Sequence, residues 1–130
     1  NSANIEAPVF LAGGTYDLIT PALSEQLGLL LSTMPNVFSR TLLIEGASHF
    51  SSIRVEGRAQ KANGEDLFQL GEAFVGVQPL SVQSLLGKEI VRFLENLELS
   101  KGLDVLINQK EGDLNFHLLD RSSVDQLLNN

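Results

Sequence analysis

The stretch Pro8-Val-Phe-Leu-Ala-Gly-Gly-Thr-Tyr-Asp17 is answered by Thr41-Leu-Leu-Ile-Glu-Gly-Ala-Ser-His49-Phe50, whose histidine lies 32 residues beyond the aspartate of the first. Each begins as a short, continuous apolar run, the pattern of a strand buried on both faces of a parallel sheet. Each then meets small residues, Gly13 and Gly14 in the first and Gly46, Ala47 and Ser48 in the second. Such residues let the backbone turn tightly at a strand's carboxyl end, the edge at which open α/β sheets bind ligands. An acid and an imidazole are therefore expected just past two neighbouring strands.

The segment between them reads as the crossover. Thr20-Pro21 offers a helix N-cap followed by proline at the first helical position, and Glu25 lies near the positive end of the helix dipole. Leu23, Leu27, Leu30, Leu31 and Met34 make an apolar stripe, and Pro35-Asn36 stops the helix. Strand, helix and strand within about 40 residues make a βαβ unit, which is expected to be right-handed and to bring both strand ends to one edge. Asp17 and His49 then face the same crevice.

Beyond His49 the chain changes character. From Arg54 to Gly76 it is rich in charge and glycine, with a weak helical hint between Asp66 and Phe74. Residues 54–81 are therefore expected to be a loop or lid-like insertion leaving the His49 turn. From Val82 to Leu97 helical spacing returns through Leu85, Leu86, Ile90, Phe93, Leu94 and Leu97, with Lys88, Glu89, Arg92 and Glu95 assigned to the outer side. In the tail, Leu103 to Ile107 reads as a short helix or strand. Ser122-Ser-Val-Asp-Gln reads as a capped final turn, with Asp125 in the capping-box position.

Composition narrows the function classes. A chain of 130 residues, 43% hydrophobic, supports one modest core, so residues 1–130 are expected to be a single domain or part of one. A net charge of −7 argues against nucleic-acid and anionic-membrane partners, which are bound through clustered basic groups. With no cysteine there is no disulfide, thiolate metal site or cysteine nucleophile, and the compartment stays open. The apolar runs are far shorter than the roughly 20 residues of a membrane span, so a soluble chain is expected. Asn1-Ser-Ala-Asn4 lacks an initiating methionine, so residue 1 is expected to be an internal position of the gene product or to follow a vector scar.

The chemistry open to Asp17 and His49 follows from what a weak oxygen nucleophile needs. A serine hydroxyl attacks an acyl carbon only if a base takes its proton, and imidazole suits that task near neutral pH. A carboxylate on the other side of the ring fixes its tautomer and stabilises the imidazolium. His49 fits the first role and Asp17 the second; the alternative is that Asp17 caps the following helix and His49 is a packed turn residue. Glu45 falls within the strand rather than past its end, and Ser48 adjoins His49 along the chain, so neither is a convincing alternative. His117, among Phe116, Leu118 and Leu119, reads as a partly buried structural histidine and receives no role. No metal site is expected from two distant histidines. Gly13 and Gly14 do not form a phosphate loop, so no cofactor is expected. A nucleophile turn of the form Gly-x-Ser-x-Gly is absent from the sequence.

On these residues the segment Ile5 to Phe50 resembles the carboxyl-terminal strands of the α/β-hydrolase superfamily. Gly14-Thr-Tyr-Asp17-x-x-Thr-Pro21 is similar to the family's acid turn, Ile44-Glu-Gly-Ala-Ser-His49-Phe50 to its histidine turn, and Val82 to Leu97 to its closing helix. More narrowly, the wording is similar to esterases of the dienelactone-hydrolase-like or platelet-activating-factor-acetylhydrolase-like kind common in cyanobacteria. The resemblance implies the carboxyl-terminal portion of an α/β-hydrolase fold, with Asp17 as acid and His49 as base of a serine esterase acting on a small ester, lipid ester or lactone. It also implies that the serine lies outside this chain, which alone is then inactive. The partner so implied is the amino-terminal half of the domain. The alternative expectation is a non-catalytic binding or oligomerisation module of the same architecture, with a second copy of the chain as partner.

Overall fold

The computed structural model describes residues 4–15, 27–48, 77 and 79–129, and within these four strands form one mixed sheet in the order β1-β2-β4-β3. β1 is Phe10–Gly14, β2 is Arg40–Ile44, β3 is Leu106–Glu111 and β4 is Leu114–Leu119; α1 spans Leu27–Thr33, α2 spans Pro79–Glu98 and α3 spans Arg121–Leu128. β1 and β2 are parallel, from Phe10 opposite Arg40 to Gly14 opposite Ile44. Both carboxyl ends therefore reach one edge, as the sequence predicts. The architecture is α/β.

The sheet is not wholly parallel. β2 is buried along its whole length because β4 lies antiparallel on its other side, with Leu42 opposite Leu118 and Ile44 opposite Phe116. Of the expected helix or strand at Leu103 to Ile107, Leu106 and Ile107 are strand, the start of β3, and Leu103 to Val105 lead into it; β3 and β4 form a hairpin. Glu111 pairs with Leu114 across Gly112-Asp113, and Gly112 takes φ +58, the positive angle that a glycine-first two-residue hairpin loop requires.

Side chains alternate between two apolar layers. Leu42, Ile44, Phe116 and Leu118 pack with Val82, Leu85 and Phe93 of α2, and Phe10 meets the Phe93 ring at a centroid distance of 5.3 Å. On the opposite face Leu119 packs with Leu27 and Met34, at α1 and just beyond its end, and with Val124 of α3. Helices thus cover both faces of the sheet, which is why β2 carries apolar side chains in succession.

Two helix readings are corrected. α2 starts at Pro79, so residues 79–81 are helix rather than insertion, and residues 54–76 lie outside the described set. Its buried stripe is Val82, Leu85, Glu89 and Phe93, while Ile90 and Leu94 are exposed. Glu89 is thus inside rather than outside. The cap of α3 also falls two residues earlier than expected: Asp120 is the N-cap, its carboxylate accepting from the Ser123 amide at 2.8 Å, and Ser123 completes the capping box. Asp125 has no place in that box.

Arg40 ties the base of β2 to the later chain. Its Nε donates to the Leu103 carbonyl at 2.7 Å and its Nη1 to the carbonyls of Val37 and Ser39. Gly102 passes so close to the guanidinium that a Cβ there would overlap it. Burying this cation is tolerable because its donors find carbonyl acceptors.

Candidate functional site

The carboxyl edge of β1 and β2 is built by two turns in direct contact. The Thr15 amide donates to the Ile44 carbonyl at 3.1 Å, continuing the parallel ladder one residue past β1. The Gly46 amide donates to Thr15 Oγ1 at 2.8 Å, so a side chain of the first turn holds the backbone of the second. Gly46 takes φ +81, where a side chain is strained, and Val77 approaches the space a Cβ would fill. A Cβ on Gly14 would overlap the Ala47 carbonyl and stand 2.8 Å from Ala47 Cβ. Of the small residues singled out in the sequence, Gly14 is required because the two turns meet there, and Gly46 because its turn takes a positive φ.

Asp17 and His49 themselves lie outside the described residues. The chain is described to Thr15 on the acid side and to Ser48 on the histidine side.

Glu45 is relocated. β2 ends at Ile44, so Glu45 is the first residue beyond it, held by its amide's bond to the Asn115 carbonyl at 2.9 Å. Its carboxylate lies 3.3 Å from Nε2 of His117, the residue opposite Leu43 on β4. The other ring nitrogen, Nδ1, accepts from the Asn108 amide at 3.0 Å. Both nitrogens are engaged, which leaves the neutral ring no free lone pair for a metal while the Asn108 bond is made. No local signal could have disclosed this pair, since its members are 72 positions apart and meet only through the hairpin.

Two further charged groups are tied into the fold, Glu89 buried and Asp120 half-buried. Glu89 on α2 is 1% exposed and accepts from Nη1 of Arg92 at 2.8 and 2.7 Å through its two oxygens. For Asp120, burial works to raise its carboxyl's pKa, but the Ser123 bonds and the Arg40 charge outweigh it, leaving the group below its ordinary value. Among the described residues no group of acidic residues, histidines or cysteines could hold a metal ion, and no helix is long and apolar enough to cross a membrane.

No protein-family model matches the chain, and neither does any curated protein or solved structure.

Proposed function

We propose that the chain is the carboxyl-terminal part of an α/β-hydrolase that cleaves carboxylic esters, lipid esters or lactones among them. Asp17 is its triad acid and His49 its base, and the nucleophilic serine comes from outside these residues. The serine attacks the acyl carbon while His49 takes its proton and passes it to the leaving alcohol. Asp17 orients the imidazole and stabilises its charged form, and water repeats the cycle on the acyl-enzyme. The chain alone, lacking the serine turn, is inactive.

The observation that supports this reading is the Thr15–Gly46 bond. It locks together the two turns that lead, within two residues on one side and three on the other, into Asp17 and His49. Triad chemistry needs such coupling, because a base that drifts by about 1 Å loses on the order of 100-fold in rate. The test is turnover of short-chain nitrophenyl esters by the whole gene product carrying this segment. His49→Ala should lower kcat on the order of 10⁴-fold with an unchanged unfolding midpoint, and Asp17→Asn should act similarly. Turnover within a few-fold of the parent in the His49 variant overturns the assignment.

A second reading, an oligomerisation module, draws on one observation. Leu80, Val91 and Leu94 of α2 are each more than half exposed and lie along one side of the helix, an apolar stripe suited to a second copy of the chain. Sedimentation at increasing concentration tests it: a monomer at all concentrations removes this reading.

A further inference from the structure

The β3–β4 ladder slips by one residue where Ile107 and Asn108 together oppose His117. A β-bulge of this kind leaves one backbone group without its ladder partner, to be taken up by water or by a side chain; here the edge-strand amide of Asn108, on an exposed residue, takes a side chain. Asn108 takes φ +53, a conformation that asparagine tolerates better than most residues, and turns its amide onto His117 Nδ1 at 3.0 Å. The imidazole of the opposing residue thus stands in for the missing carbonyl.

This bond dictates the tautomer. An N–H can be accepted only by a nitrogen without a proton, so in the neutral ring the proton sits on Nε2 and points to Glu45 Oε1 at 3.3 Å. We propose that His117 is a pH-sensitive latch on the bulge, closed by the neutral ring and released when solvent delivers a proton to Nδ1. The protonated ring has two donors, so Nδ1–H meets the Asn108 N–H head on and the amide detaches. The Nε2–H contact to Glu45 survives as an ion pair, so the ring stays anchored to the turn after β2 while the hairpin loosens. Charged groups on the bordering elements are Glu45, Lys110 on β3 opposite Asn115, Arg40 at the foot of β2, and Asp120, Arg121 and Asp125 around α3. Neither Asp17 nor His49 takes part, so the latch is independent of the hydrolytic reading.

The experiment is NMR of the isotope-labelled chain between about pH 8 and pH 5, where imidazoles change charge. At pH 8 the long-range nitrogen–proton spectrum should show His117 protonated on Nε2 alone. As the ring titrates, the Asn108 amide should lose roughly five-fold or more of its exchange protection relative to the Leu42 amide, the loss of one hydrogen bond. His117→Phe should leave Asn108 poorly protected at every pH. A ring protonated on Nδ1 at pH 8, or an Asn108 amide indifferent to the titration, overturns the proposal. The tautomer measurement needs only the parent protein, so the outcome does not depend on the variant folding.

Discussion

Gly14 and Ala47 approach so closely that no other residue type fits at position 14: a Cβ there would overlap the Ala47 carbonyl oxygen. The contact joins the residue that ends β1 to the turn after β2, so the spacing of the two strand ends is set by a missing side chain. Replacing Gly14 with alanine should force the turns apart and cost about 1–3 kcal/mol, the usual penalty of overpacking. Urea denaturation of the variant checks this. A midpoint equal to the parent's would mean that the turns separate freely.

Thr15 extends the same contact through its hydroxyl, which accepts from Gly46. Thr15→Val should cost about 1 kcal/mol, near the low end because the bond is exposed, and Thr15→Ser should restore most of it. Under the proposed hydrolytic reading, the valine variant of the whole gene product should lose more turnover than stability, since the bond couples the turns that lead to Asp17 and His49. Parallel measurement of kcat and unfolding midpoint separates the two effects.

The buried carboxylate of Glu89 depends on one partly exposed cation. Arg92→Ala should destabilise the fold by about 3 kcal/mol, because it leaves an uncompensated charge inside. Removing both charges by Glu89→Met with Arg92→Leu should cost far less, or even stabilise. The double-mutant comparison, made by thermal or denaturant unfolding, checks the prediction. A double variant as unstable as Arg92→Ala would place the effect elsewhere.

Asp120 links the α3 cap to acid stability. Its carboxyl is held below the ordinary 3.8, so folding favours the ionised form. Such a group adds stability that is complete above its unfolded pKa and is lost as pH falls through its folded pKa. Asp120→Asn keeps a capping oxygen but not the charge. The parent should therefore exceed this variant in stability near neutral pH, and the excess should fade from about pH 4 downward. Asp120→Ala should in addition lose the cap, about 1 kcal/mol at any pH. Unfolding curves collected from pH 7 to pH 3 decide both points.

How much of this was legible depends on where each signal resides. β1 and β2 could be read because continuous apolar runs and terminal glycines are local, and the parallel pairing followed from the helix between them. Only the start of β3, Leu106 and Ile107, falls in the stretch read as helix or strand, because Asn108-Gln-Lys-Glu111 is polar, as an edge strand with exposed side chains can be. Glu89 was misassigned because charge ordinarily marks the outer face, and only the position of Arg92 one turn later makes its burial tolerable. The Glu45–His117 contact requires the hairpin first, so no reading of neighbours along the chain could reach it. Asp17 and His49 rest on motif and spacing, and both lie outside the described residues.

The order of strands across the sheet also sets a timetable. A ribosome releases β1 and β2 about 70 residues before β4, the strand that closes β2's other side. During that interval the strand destined for the deepest burial presents an unpaired edge, and its pairing with β4 must close across about 70 residues of chain, a slow step by contact order. Nascent chains stalled before Leu114 should therefore be the form that chaperones hold, and full-length chains the form they release.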